Sequence, residues 1–346
     1  MNERTMAGVV RPAQKVSDIQ NGYQIDNWLT DYSVGWSQDQ SNFISAASST
    51  NIPVTKESAK FPVFPRGYFW RDEARVRPLG GRPAQVGYKI GQDTYLAEEW
   101  ALETTVDDRE RQNVDFFVNP DQIGVELLQQ KMLIREDRIW ASKFFQPGVW
   151  SVEEIGGTDF TPFNDAASDP IGVVDRLKDE MALQTGKMPN TLILGVNVKR
   201  ALRTNADIVD RVKYTQRGIA DDALLAALFE VDTVKVARAV YNAADEIADP
   251  NDPDGGLDMQ WITDPNAMWL GHVAPTGGLK TPTAVARFAW TGLIPGATAQ
   301  NGGVITRGRD GRAYTDWIHS RMAFDLKQVS ADLGIYIQDA NIPVSN

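Results

Sequence analysis

The chain has 346 residues, an apolar fraction of 42%, a net charge of −11 and no cysteine. Its length allows one elaborate domain or two to three smaller ones, with roughly 75% of the unfolded surface available for burial. The missing cysteines exclude a disulfide framework, a thiolate metal site and a cysteine nucleophile, and two histidines, His272 and His319, cannot build a histidine-rich metal centre. An acidic chain is a poor general nucleic-acid binder, because that affinity rests on neutralising phosphates with Lys and Arg. No apolar run reaches the ~20 residues of a membrane span, and "MNERTMAGVVRPAQKVSD" lacks the apolar core of a signal peptide. The expectation is a soluble protein made in a cytoplasm.

Residues 1–60 are rich in Ser, Asn, Gln and Thr, as in "SVGWSQDQSNFISAASSTNIPVTKESAK", and carry scattered aromatics at Trp28, Trp36 and Phe43. Such a segment buries little by itself and reads as an arm that lies on something else. Residues 61–103 place aromatic and β-branched residues on both sides of "PLGGRP", where Gly80 and Gly81 supply a reversal bracketed by Pro78 and Pro83. This reads as a long two-stranded antiparallel hairpin. It carries Arg66, Arg71, Arg75, Arg77 and Arg82 with few leucines or isoleucines, so it is not a core hairpin, and a lone hairpin is marginal in water.

Asn119-Pro120-Asp121 opens a strong helix, with an N-cap side chain, a proline in the first turn and an acid at the positive end. The pattern then runs unbroken to Pro147-Gly148, about 26 residues or roughly 40 Å. Leu128, Met132 and Ile139 form one apolar stripe and Leu133, Trp140 and Phe144 a second, so the helix is expected to be covered from two sides. After a Gly- and Pro-bearing linker, Asp169-Pro170 starts another helix that Gly186 closes. A strand at 191–194 follows, then helices near 197–204 and 206–214 and one from Asp221-Asp222 through Phe229. A strand at 233–242, "MQWI" and "AMWLGHV" come next, and 283–340 reads as mostly β. The class is α+β with mixed sheets.

No motif for small-molecule chemistry survives inspection. The turn "LGVNVKRAL" has one glycine where a dinucleotide cradle needs three, and Asn197 reads as a helix N-cap. "PTGGLKTPT" has Leu279 where a phosphate loop needs glycine before its lysine. Asp107-Asp108 and Glu153-Glu154 read as solvated charge. Asp249, Asp252, Asp254 and Asp258 lie on one loop beside Gly255-Gly256, but Pro253 falls where a calcium ligand should be, so a solvated loop tip is favoured over a metal site.

A polar arm, an arginine-bearing hairpin, a long helix and a compact α/β half without a site, in that order, resemble the major capsid proteins of tailed phages, the Hong Kong 97 fold. The resemblance covers about residues 45 to 340. "YLAEEWALETTVDDRERQN" running into "PDQIGVELLQQKMLIREDRIWASKFF" is similar to the E-loop return and spine helix of the P-domain. "DRLKDEMALQTGKMPNTLILGVNVKRALRTNADIVDRVKY" is similar to the helix, strand and helix of the A-domain. "VKVARAVYNAADEI" and "NAMWLGHV" are similar to the A-domain strands beside the loop at the capsomer centre.

The resemblance implies an N-terminal arm at 1–60, an extended E-loop at 61–103, and a P-domain at 104–165 with its spine helix at 120–146. It implies an A-domain of mixed sheet flanked by helices at 166–282, P-domain strands at 283–325, and an A-domain return with the C-terminus at 326–346. It also implies a structural protein, not an enzyme, without cofactor or metal, assembling into pentamers and hexamers of an icosahedral head around double-stranded DNA bound without sequence preference. Scaffolding, portal and decoration proteins would be separate chains. Assembly would take place in the host cytoplasm, no membrane would be involved, and the product would be the virion capsid. The E-loop arginines would then make intersubunit contacts, and Asp249 to Asp258 would face the capsomer centre. Some family members cross-link an E-loop Lys to a neighbour's Asn; Lys89 is the hairpin's only Lys, but its surroundings do not match that motif, and the activity is not carried over. An encapsulin-like compartment shell is the alternative within the same fold, and a tail or adhesion protein or a nucleotide-dependent enzyme on 170–245 the alternatives outside it.

Overall fold

The computed structural model describes residues 19–20, 23–25, 39–77, 79–113, 119–212, 222–244, 258–278, 281–294 and 302–342. In chain order its elements are β1 (Ile19–Gln20), β2 (Tyr23–Ile25), α1 (Ser45–Ser48), β3 (Thr50–Val54), β4 (Ser58–Val63), α2 (Arg66–Phe69), β5 (Gly91–Leu96) and β6 (Glu98–Asp107). Then come α3 (Asp108–Asn113), α4 (Pro120–Phe144), β7 (Val152–Ile155), α5 (Pro170–Thr185), β8 (Thr191–Gly195), α6 (Val196–Thr204), α7 (Ala206–Val212) and α8 (Asp222–Phe229). The last strands are β9 (Thr233–Ala237), β10 (Val240–Asn242), β11 (Met259–Trp261), β12 (Met268–Gly271), β13 (Val285–Trp290), β14 (Gly303–Asp310), β15 (Thr315–Gln328) and β16 (Gly334–Gln338). The fold is α+β.

The chain divides into two compact units. The larger comprises residues 37–100, 130–303 and 322–346 and holds a five-stranded sheet in the order β7-β16-β12-β8-β9. Strands β8, β12 and β16 are buried along almost their whole length, which alternation explains. Successive side chains point to opposite faces of a strand. Leu192, Leu194, Met268, Leu270, Ile335 and Ile337 face one core, shared with Val174, Leu177 and Met181 of α5. Ile193, Trp269 and Tyr336 face the other, shared with Trp140, Phe144 and Phe145 at the end of α4. A continuous apolar run is what a sheet with both faces covered requires.

Local capping follows the sequence. The Asp169 side chain accepts the Gly172 N–H at 2.8 Å, and Gly186 takes the left-handed conformation (φ +61°) that ends α5. Asn119 Oδ1 accepts the Asp121 N–H at 3.1 Å at the start of α4. Asn197 differs from expectation: α6 begins at Val196, Gly195 stands at the cap, and Asn197 Nδ2 donates to Asn266 Oδ1 at 2.9 Å. A Cβ on Gly195 would lie 2.3 Å from the Pro265 carbonyl oxygen. The glycine at this turn therefore serves backbone packing.

Also in the larger unit, β13 takes β3 as a parallel neighbour and pairs antiparallel with the 324–328 half of β15. The segment preceding β3 reads as polar, yet Ile44 is fully buried and Thr50 Oγ1 donates to the Ala274 carbonyl at 2.8 Å. The covering of α4 also departs from two apolar stripes. Leu133 and Ile139 are half-buried, whereas two carboxylates, Glu136 and Asp137, lie on the buried side. Glu136 pairs bidentately with Arg287 of β13 (2.9 and 3.1 Å). Asp137 accepts the N–H groups of Ile44 (3.0 Å) and Ser45 (2.8 Å).

The smaller unit comprises residues 1–36, 101–129 and 304–321. Strands β2 and β14 pair antiparallel in it. Its core joins Val106, Val125, Leu128, Ile305 and Ile318. Arg111 bridges Asp121 (2.6 Å) and Asp316.

Candidate assembly surfaces

The arginine-bearing segment is built differently from a full-length hairpin. Strands β4 and β5 pair antiparallel from Ser58↔Leu96 to Val63↔Gly91, and the ladder stops there. Between them lie the single turn α2 and, from Trp70 to Ile90, described residues without any strand. Pro65 and Pro83, beyond the last pair, lack the N–H that a ladder needs, which fits pairing that stops at Val63. The reversal is where the glycines placed it, with Gly80 at φ +76°.

The base of this loop is anchored. Tyr95 stacks on Phe288 of β13 at 4.5 Å and Phe61 packs on the same ring at 5.1 Å. Arg66 donates to the Gln184 carbonyl at the end of α5 and pairs with Asp332, both at 2.8 Å. Trp70 lies so close to Gly186 that a Cβ there would approach its ring to 2.8 Å. Arg66 is therefore engaged within its own subunit. The cause is a pair of acceptors more than a hundred residues away in sequence.

Beyond Trp70 the loop is open. Val76 and Leu79 are fully exposed, and Val86, Tyr88 and Ile90 are about half exposed. Among the described residues Arg71 pairs with Glu73, at 3.6 Å. Arg75, Arg77 and Arg82 are exposed and make no ion pair among the described residues. A cleft of about 500 Å³ opens between the two limbs, with Phe69 and Tyr88 in ring contact (5.6 Å) and Arg71, Glu73 and Arg75 at its edge. The arrangement presents apolar area and unpaired cations together. It offers no nucleophile or acid–base pair.

No family model matches the chain. Over 222 residues, 63% of this chain and 70% of the other, it is 26% identical to the protein described as "Major capsid protein" of Burkholderia phage BcepMu. A crystal structure of a phage-related protein from Bordetella bronchiseptica RB50 superposes with a TM-score of 0.67 at 19% identity, covering 92% of this chain and 99% of that one. The capsid structure of cyanophage P-SCSP1u superposes with a TM-score of 0.52 at 12% identity, covering 85% and 87%. The chain has the Hong Kong 97 capsid fold.

Within this capsid fold, strands β10 and β11 form a separate two-stranded hairpin with Val240, Met259 and Trp261 exposed on one face. It carries the acidic loop. Asp258 is exposed, its carbonyl accepts the Ala243 N–H at 2.7 Å, and its carboxylate accepts the Gln260 Nε2–H at 2.8 Å. Asp249, Asp252 and Asp254 lie outside the described residues.

His272 Nδ1 lies 2.8 Å from the Met188 carbonyl oxygen, and His319 sits against Glu103 while stacked on Trp317. Among the described residues no group of His, Asp and Glu is placed to hold a metal ion. Lys89 is exposed.

Two further cations were not singled out from the sequence. Arg135 lies over Trp100 and Arg138 over Tyr241, each with its guanidinium carbon 4.2 Å from the ring centroid. The available signal was the cation spacing in "KMLIREDR", which puts Lys131, Arg135 and Arg138 on one helix face.

Proposed function

We propose that the chain is the major capsid protein of a tailed double-stranded DNA phage, a structural subunit that assembles through pentamers and hexamers into an icosahedral head enclosing the genome. The observation that carries this reading is the loop from Phe64 to Ile90. It exposes large apolar side chains and three unpaired arginines on a chain of net charge −11. A monomeric protein gains nothing from such an extension, and an assembling one completes it with a neighbour's surface. The sequence similarity to a phage major capsid protein favours a viral head over an encapsulin-like compartment.

In this reading Arg71, Arg75, Arg77 and Arg82 meet carboxylates of the neighbouring subunit. Each exposed pair contributes only ~0.2–1 kcal/mol, but the contact repeats over the whole shell. Asp249, Asp252, Asp254 and Asp258 approach the capsomer axis, the product is the virion shell, and scaffolding and portal proteins are separate chains. Shortening the loop between Val76 and Val86 is the test. The variant is expected to give a folded subunit with unchanged circular dichroism that forms no shells, or unstable ones, in electron microscopy. Normal, equally heat-stable shells would refute the clamp.

A further inference from the structure

Several cations of the larger unit are paired, as Arg287 is with Glu136, Arg176 with Glu154, Lys143 with Asp325 and Lys199 with Asp222. One face of α4 groups three that are not. Lys131, Arg135 and Arg138 are exposed, share one face of the helix, and make no ion pair among the described residues. At 1.5 Å per residue they are spread over about 10 Å of a continuous helix. Two of them are held in place: Trp100 lies under Arg135 and Tyr241 under Arg138. A guanidinium held over a ring is restrained while N–H donors remain for an oxyanion, so it binds one at little further entropic cost.

We infer that this face of α4 is a phosphate-binding row for the backbone of duplex nucleic acid. Two features favour a polyphosphate over an acidic protein. A protein partner needs an apolar centre at its contact, and from Lys131 to Ser142 the exposed face of α4 carries no exposed large apolar side chain. The exposed apolar residues of the β10–β11 hairpin, Val240, Met259 and Trp261, are on the face opposite Tyr241. Each ring is also occupied by a guanidinium on one face, which favours contact through charge over base stacking, and charge contact reads no sequence. The choice of duplex as occupant rests on the capsid reading, in which the subunit lines a space filled with DNA.

The test measures binding of the full-length, unassembled chain to a fluorescent 24-base-pair duplex by anisotropy across a salt series. Three phosphate contacts give log affinity against log salt a slope of about −3. Replacing Lys131, Arg135 and Arg138 together with Gln is expected to remove that slope and weaken binding at least tenfold at low salt. Lys131→Gln alone leaves both ring stacks intact and is expected to reduce the slope by about 1, which guards against loss through misfolding. Equal slopes for the parent chain and the triple variant would overturn the inference. Tighter binding to a poly-glutamate peptide of matched charge than to the duplex would also overturn it and assign the row to an acidic protein. Shells that form normally from a chain with no duplex affinity would refute the row and leave the capsid reading standing.

Discussion

Asp137 tests the account of α4 at a single atom. It is 1% exposed, has no cation beside it, and accepts two backbone N–H groups at the point where the chain enters α1. Burial pushes its carboxyl from 3.8 to about 6, against the opposing pull of those N–H donors from Ser45 and Ile44, and the neighbouring Glu136 charge adds to the rise. The folded state therefore binds the proton more tightly than the unfolded chain does. The stabilisation is complete below the unfolded value near 4 and is lost as the pH rises through about 6. Its acid limit is about 3 kcal/mol, of which about 2 kcal/mol is present at pH 4.5 and almost none at pH 7.5. Asp137→Asn keeps a neutral acceptor at every pH. Urea unfolding of the unassembled parent and variant at these two pH values gives the difference directly, since titrations common to both cancel. The parent is expected to gain about 2 kcal/mol on the variant in going from pH 7.5 to 4.5. A difference that stays flat, or one that grows in the opposite direction, would show that Asp137 is not a buried, uncompensated carboxylate.

Arg287→Met leaves Glu136 buried without its partner and is expected to cost about 3–5 kcal/mol in the same unfolding assay. Adding Glu136→Leu should recover most of that loss, and an additive double variant would contradict a direct pair. If the acidic loop meets its own copies at the capsomer axis, Asp249→Asn, Asp252→Asn and Asp254→Asn together should reduce the dependence of shell melting temperature on magnesium or calcium. The same cation response in parent and variant would remove the like-charge argument.

What could be read from the sequence was set by local chemistry. Asn119-Pro120-Asp121 and Asp169-Pro170 through Gly186 located two helices because a cap is completed within a few residues. Strand β8 was legible because both faces are covered, leaving an unbroken apolar run. The hairpin was over-read: aromatic and β-branched residues suggested pairing along its length, but pairing also needs N–H donors that its prolines lack. Arg66 looked like its sister arginines because Gln184 and Asp332 are distant in sequence. Strand β3, TNIPV, carries little strand signal of its own and takes its seat from parallel pairing with β13. Glu136 and Asp137 were not singled out from the sequence, since nothing local signals that Arg287 and the N–H groups of Ile44 and Ser45 receive them.

The parallel seat of β3 beside β13 has a consequence for how the subunit is made. Asn51 and Arg287, joined by a hydrogen bond at 3.2 Å, are 236 residues apart in the chain. At ribosomal rates of 5–20 residues per second the earlier strand waits roughly 12 to 50 s for its neighbour to be synthesised. Contacts this non-local also carry the full entropic cost of closing the loop before any ladder forms. A subunit still on the ribosome thus has a bare edge at β3. The β3 edge is paired only once some five-sixths of the polypeptide has emerged, so the partly made chain is the stage most exposed to wrong strand pairing.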